Sequence, residues 1–476
     1  MDSTLRRIYP PIKTVTPSLS SASSASLRFK TILMKTKTSL QQLLQQSPYQ
    51  AYVYSYPHKT AYRPINPPVN LAELWSKQNR NALFLYIHIP FCEMRCGFCN
   101  LFTTVQHNQD FTDRYIRAVQ RQAKRVKAAI GDASFARFAI GGGTPTQLPV
   151  QGLEAILDIA EDTMGANLQQ IPISIEMSPE TVDKEKMELL RSRHITRASI
   201  GVQSFIDTEV LAIQRRQKAS VVKAALTLMR SANFPTINID LIYGLPGQTV
   251  ETWLHSIRSA LQFQPEEIYL YPLYVRPLTG MGISDKEWDD IRLECYREGR
   301  NLLLSEGYAQ ISMRMFRADR APDAETGPIY CCQADGMVGL GCGARSYTDT
   351  LHYSNDYAVG AKEVREILQA FIHRKDEDFD YANYGFELDL EERKRRYILL
   401  SLLSDEGLNV VKYHQQFGTD AKADFPELSE LILLDLATWD RETLHLTASG
   451  VERSDTIGAW LFSDKVRYLM ESYNLK

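Results

Sequence analysis

The chain has 476 residues, a hydrophobic fraction of 44%, a charged fraction of 23% and a formal net charge of −3. That composition is ordinary for a soluble globular protein and allows one large catalytic domain with attachments. The near-balanced charge excludes a global field drawing the chain to nucleic acid or to a membrane surface, and no apolar run is long enough to span a bilayer.

The first segment, residues 1–48, differs from the rest. It is rich in Ser and Thr and carries Arg6, Arg7, Lys13, Arg28, Lys30, Lys35 and Lys37 against the single acid Asp2. Such a composition fits a transit peptide. It also fits a disordered extension or a start-site error with Met34 as the true start, and this second reading is preferred because no amphipathic arginine stripe is evident. An N-terminal segment, 49–82, follows.

From residue 83 onward, short apolar runs alternate with helical patterns. Strands are expected at 83–88, 135–140, 171–177, 197–203, 236–243 and 267–275. Helices are expected at 113–130, 151–162, 180–193, 208–213 with 220–232, and 250–262. Strands apolar on both faces and joined by helices argue a parallel sheet of βα units. Six units suit a partial (β/α)6 TIM-like barrel, an α/β fold, over 83–300. A glycine-rich extension is expected over 301–385. A small, mainly helical, winged-helix-like C-terminal domain is expected over 386–476.

Each expected strand ends in polar or glycine-rich residues: the cysteine loop after the first, Gly141-Gly142-Gly143-Thr144 after the second, then Glu176, Gln203, Asp240, and Tyr271 with Arg276. Active sites of βα barrels lie at the C-terminal ends of the strands, so these residues gather on one rim.

Seven cysteines are present, three of them within eight residues: Cys92, Cys96 and Cys99. A Cys-x3-Cys-x2-Cys loop can ligate three irons of a cubane and leave the fourth open, whereas ordinary electron-transfer clusters use four cysteines. A structural zinc site wants four ligands, usually as two close pairs, and no second pair is evident. Clustered cysteines without a disulfide framework also argue a reducing compartment, expected to be the cytoplasm.

The segment Tyr86-Ile87-His88-Ile89-Pro90-Phe91-Cys92-Glu93-Met94-Arg95-Cys96-Gly97-Phe98-Cys99 resembles the radical S-adenosylmethionine (SAM) superfamily, and within it the group of oxygen-independent coproporphyrinogen III oxidase. The resemblance extends to the segment Tyr52-Val53-Tyr54-Ser55-Tyr56-Pro57 and to Leu446-Thr447 and Gly450. It implies a [4Fe–4S] cluster on Cys92, Cys96 and Cys99, one or two molecules of SAM, and reductive SAM cleavage to a 5′-deoxyadenosyl radical. It places Tyr86, Glu176 and Arg215 in catalytic roles. It places Tyr86, Gly142, Gly143, Thr144, Glu176, Gln203, Arg215 and Asp240 around SAM, with Gly142, Gly143 and Thr144 meeting its amino group through backbone. It implies a monomeric enzyme served by a flavodoxin or ferredoxin and acting on a small molecule such as a tetrapyrrole. Nucleic acid and membrane are not expected partners.

The substrate is less legible. The oxidase has a further cysteine two positions past the third cluster cysteine, where this chain has Leu101. The related haem chaperones carry His-Asn and Tyr-Trp pairs ahead of the glycine-rich run, where this chain reads Tyr330-Cys331-Cys332-Gln333. A third group of relatives binds two SAM molecules and transfers a methyl or methylene group. Arg276, Arg314 and Arg317 are candidates to meet an acidic substrate, and Cys331, Cys332 and Cys342 are weighed as an auxiliary cluster site.

Overall fold

The computed structural model describes residues 39–49, 52–53, 55–276, 278–281, 290–322 and 330–475. The expected N-terminal extension before residue 39 lies outside the described residues. Six parallel strands form the core: Leu83–Ile89, Phe135–Gly142, Ile173–Met177, Arg197–Gln203, Thr236–Tyr243 and Glu267–Pro272. They lie side by side in chain order, as consecutive βα units do. The helices Gln109–Ile130, Val150–Asp158, Lys184–Ser192, Ala219–Ser231 and Val250–Leu261 join them. The first of these is capped by Asn108, whose side chain accepts from Phe111 N–H, and it turns Tyr115, Val119, Ala123, Val126 and Ile130 onto the sheet at helical spacing.

The glycine-rich run is itself a strand. Met337–Leu340 runs parallel to Leu83–Ile89 on its open side, with Gly339 opposite Tyr86. Arg345–Tyr347, Leu351–Ser354, Tyr381–Glu387 and Arg63–Asn70 continue the sheet beyond it in antiparallel pairs. Gly339 is required there because a Cβ would stand 2.2 Å from the Arg345 carbonyl oxygen. At the other edge, Met315–Ala318 and Tyr308–Gln310 pair antiparallel with the last core strand. Among the described residues the sheet therefore has thirteen strands.

A second apolar core holds the C-terminal part, where helices surround a three-stranded sheet containing the hairpin Ala437–Asp440 and Thr443–Leu446. This core also contains Leu40, Tyr56, Ala61 and Tyr62. Residues 39–48, which composition alone assigns to the extension, thus include a capped turn of helix, Leu40–Leu44, with Leu40 fully buried. The SYP stretch is a packing element as well: Tyr56 donates to Glu392, and Glu392 also accepts from Ser463 at 2.7 Å.

Candidate functional site

Strand alternation decides what faces the barrel lumen. Register sets His88 opposite Gly141, Glu176 opposite Ser199, Ser199 opposite Asn238, Asn238 opposite Glu267, and Asp240 opposite Tyr269. A polar layer crosses strands whose other face is wholly apolar. In its deep part Arg197 pairs with Glu267 at 2.6 Å and bonds Ser174 Oγ at 3.1 Å.

The cysteine loop leaves the first strand at Pro90. Phe91–Cys92 pairs with Thr104–Val105 and so folds the loop back on itself. Gly97 N–H donates to Ile213 O at 2.9 Å, and Met281 N–H donates to Gly97 O at 2.8 Å, which pins the loop from two sides. The three thiols are each partly exposed and each meets one polar group. Thr144 Oγ1 donates to Cys92 Sγ at 3.8 Å, Arg215 Nη1 donates to Cys96 Sγ at 3.3 Å, and Cys99 Sγ lies 3.9 Å from Thr103 Oγ1. Burial raises the Cys92 thiol to about 12, and burial raises Cys96 against the pull of Arg215. Iron held by thiols so placed would displace their protons to solvent, so loading the site would release acid.

Arg215 is buried and held rigidly. Its Nη2 donates to Gly201 O at 2.8 Å and its Nε to Gln217 Oε1 at 2.8 Å. Gln217 is tied in turn to Val202 O at 2.8 Å. The guanidinium thus faces the loop from the end of the fourth strand, beside Gln203, whose φ of 70° sits at a register shift between Gly201 and Gln203.

The glycine turn is built from backbone bonds. Gly142 N–H donates to Glu176 Oε2 at 2.9 Å, Gly143 N–H to Ile89 O at 2.8 Å, and Thr144 N–H to Phe91 O at 2.7 Å. All three donors are used within the protein. Only the carbonyl oxygens of this turn can then meet an ammonium group, which is itself a donor. Glycine is needed twice over. Gly142 has φ 121° and a Cβ there would stand 2.6 Å from the His88 ring; at Gly143 it would stand 2.9 Å from Cys92 Sγ. Gly142→Ala is therefore expected to displace His88 and lower cluster occupancy, read as iron per chain after anaerobic reconstitution.

His88 escaped the sequence reading. Its Nε2 lies 3.0 Å from Phe102 O, which can only accept, so Nε2 carries the proton and Nδ1 accepts. Tyr86 therefore donates its hydroxyl to Nδ1 at 3.2 Å. Burial holds His88 down at about 4, which keeps the ring neutral and this arrangement fixed. The period-two pattern Tyr86-x-His88 was the available signal.

Glu176 reaches into the open lumen, and desolvation raises its carboxyl. Asp240 accepts from Asn238 Nδ2 at 2.7 Å, and burial lifts it to about 6. A carboxyl raised on folding binds more protons folded than unfolded, so stability declines as pH rises from about 4 to 6. Asp240→Asn is expected to flatten that decline in a series of thermal melts, leaving the contribution of Glu176, which has the same sign.

Tyr269 and Tyr271 stack at 5.8 Å between ring centres, and Tyr52 packs edge-on to Tyr271 at 6.2 Å. The arginines expected to meet an acidic substrate are differently engaged. Arg314 is consumed by Asp455 at 2.8 and 2.9 Å. Arg317 lies 3.9 Å from Glu267, and Arg276 stands over the Tyr274 ring at 5.1 Å. The remaining cysteines do not converge: Cys331 and Cys332 are exposed before the strand Met337–Leu340, whereas Cys342 is buried after it. Among the described residues no three Cys, His, Asp or Glu side chains could grip a single metal ion.

Residues 86–260 match the family model of the radical SAM superfamily, and residues 388–452 match that of the HemN C-terminal domain. The chain carries a radical SAM domain and a HemN C-terminal domain. The radical SAM family implies a [4Fe–4S] cluster and SAM, and the three-thiol loop beside a glycine cradle fits both. The chain is 26% identical to the heme chaperone HemW of Bacillus subtilis over 77% of its length and 93% of that protein. It is 26% identical to the oxygen-independent coproporphyrinogen III oxidase of Synechocystis over 82% of its length and 87% of that protein. The solved structure of coproporphyrinogen III oxidase (HemN) from Escherichia coli superposes with a TM-score of 0.75 at 23% identity, covering 88% of this chain and 98% of that one. That superposition shows the α/β fold. The helices described here include none long and apolar enough to cross a membrane.

Proposed function

We propose that this protein is a radical SAM enzyme of the HemN group, acting on a tetrapyrrole-related small molecule. Cys92, Cys96 and Cys99 would hold the cluster, with SAM bound there through its amino and carboxylate groups. Such a cluster would supply the one electron that breaks the sulfonium C–S bond to methionine and a 5′-deoxyadenosyl radical. The protein's own residues position and shield. Carbonyls of the Gly142–Thr144 turn accept from the N–H groups of the SAM amine, and Arg215 meets its carboxylate with a charge-assisted bond. Tyr86, Glu176, Gln203 and Asp240 surround the rest of SAM from the strand ends. The tyrosine layer of Tyr52, Tyr269 and Tyr271 presents flat apolar faces to the pyrrole rings of such a substrate.

The observation that carries this reading is the fixed Arg215 guanidinium 3.3 Å from Cys96 Sγ, at the rim where the glycine turn and Glu176 also meet. Protein reconstituted anaerobically and given SAM and dithionite is expected to release 5′-deoxyadenosine. Addition of coproporphyrinogen III is expected to yield vinyl products. Zinc or no metal in that site, with no 5′-deoxyadenosine, overturns the reading.

The likeness to heme chaperones over three quarters of the chain favours one competing reading, a haem carrier on the same fold. A tight Soret-shifting haem complex without SAM turnover selects it.

A further inference from the structure

Cys331 and Cys332 take no part in the site described above, yet they form a geometrically defined pair. Both are exposed, and both thiols donate to one acceptor, Gln333 Oε1, at 3.2 and 3.3 Å. Neighbouring side chains on a strand point to opposite faces, whereas these two converge on a single oxygen atom. A turn holds them so. Cys331 O accepts from Ala334 N–H at 3.0 Å and from Asp335 N–H at 2.7 Å, and Cys331 N–H donates to Asp335 Oδ2 at 2.7 Å.

The turn is tied on two sides. Arg396, on the C-terminal helix Leu390–Leu402, donates to Cys332 O at 2.7 Å and to Gln333 O at 2.8 Å. On the barrel side, Tyr330 packs against Phe84 at 5.4 Å between ring centres, and Phe84 N–H donates to Gly336 O at 3.0 Å. Phe84 belongs to the strand Leu83–Ile89, which carries Tyr86 and leads into the cysteine loop. The pair therefore sits where the C-terminal helix, the strand Met337–Leu340 and the first barrel strand meet.

We propose that Cys331 and Cys332 are a reversible oxidation site, which closes to a disulfide between adjacent residues under a disulfide oxidant such as oxidised glutathione and loosens this junction. Cys331 Sγ, as thiolate, attacks one sulfur of the oxidant, whose S–S bond breaks and releases one glutathione thiolate. Cys332 Sγ then attacks Cys331 Sγ and releases the second. Two protein thiols are oxidised, one oxidant is reduced to two thiols, and the two thiol protons pass to the leaving groups. Desolvation raises the Cys332 thiol against the pull of Arg396, so Cys332 acts second, as an intramolecular attacker aided by proximity. Adjacent Cα atoms stand about 3.8 Å apart, below the usual disulfide range of about 4.4–6.8 Å. The closed ring is thus strained, which makes its bond easy to reduce and suits a switch rather than a staple. Closure twists the 331–332 peptide, whose carbonyl then leaves Ala334 and Asp335, and it moves Cys332 O away from Arg396. Neither sulfur can then donate to Gln333.

The test uses anaerobic, cluster-loaded protein, in which iron would occupy the loop thiols; Cys295 and Cys342 are buried. After excess oxidised glutathione and then alkylation in denaturant, the chain is expected to take up label at two fewer cysteines. Peptide mapping is expected to place the bond between Cys331 and Cys332, and dithiothreitol to restore both labels. Cys331→Ser and Cys332→Ser are each expected to lose at most one label, as a glutathione adduct on the remaining thiol. In the oxidised protein the amides of Ala334 and Asp335 are expected to exchange hydrogen about tenfold faster or more, because their acceptor has turned away. Two separate glutathione adducts, a disulfide linking two chains, or no loss of label overturns the pairing. A bond between the two that leaves hydrogen exchange over 334–340 unchanged overturns the coupling to the junction. None of these readouts depends on SAM cleavage.

Discussion

Cys96→Ala is expected to abolish cluster loading and with it all SAM cleavage. Two thiols remain, Thr144 and Thr103 beside them offer only hydroxyls, and Glu93, whose Oε1 accepts from Ser178 Oγ at 2.6 Å, offers a hard carboxylate in place of a soft thiolate. Removing Cys96 also leaves the Arg215 guanidinium aimed at an empty position, still clamped by Gly201 O and Gln217. A buried cation without its anionic partner repels the iron that the other two thiols would bind. The readouts are the brown visible absorption, iron per chain and 5′-deoxyadenosine. Cys331→Ser is the control. It alters an exposed thiol that donates to Gln333 Oε1 at 3.2 Å, away from the loop, and full iron content is expected. If Cys96→Ala keeps its iron and Cys331→Ser loses it, the ligand assignment fails.

Much of the barrel was legible because buried parallel strands leave a strong signature. The strands at Arg197–Gln203 and Thr236–Tyr243 have the expected bounds, and the others shift by only a few residues. The same apolar runs hid the lumen layer. Arg197 and Glu267 read as strand-edge residues in isolation, and only the register that places them on neighbouring strands reveals a buried pair. The extension was least legible. Met337–Leu340 is a four-residue strand paired in parallel with Leu83–Ile89, about 250 residues earlier, and the glycines in and just after it answer to Arg345 O and His88 rather than to any local pattern. Arg314 failed for the same reason, since its partner Asp455 lies 141 residues away in the C-terminal helix Ser454–Trp460.

That pair sets the second large expected effect. Arg314 is 6% exposed and Asp455 1% exposed, and both Asp455 oxygens take a bond from Arg314 Nη2. Tyr274 also donates to Asp455, and the Arg314 guanidinium lies over the Tyr52 ring at 3.9 Å. Four residues from four parts of the chain therefore join the end of the barrel to the C-terminal helices. Asp455→Ala leaves a buried, permanently charged guanidinium whose Nε already has no hydrogen-bond partner. The expected cost is about 3–5 kcal/mol, the range for breaking one side of a buried ion pair. Replacing both partners, Arg314→Met with Asp455→Leu, removes the stranded charge, and recovery of most of that loss is expected. Denaturant melts of both variants measure this directly. The same variants separate stability from function. Tyr52 and Tyr274 stack at 6.4 Å, and Tyr52 also packs against Tyr271 of the lumen layer. Loss of the pair is therefore expected to loosen the tyrosine wall as well. In Asp455→Ala, substrate-independent SAM cleavage is expected to persist at temperatures where the protein stays folded. Product formation on the proposed tetrapyrrole substrate is expected to fall further, because the cluster rim is built on the strand ends and the wall depends on the docked C-terminal helix. Equal losses of both activities, tracking the folded fraction, would assign the pair to stability alone.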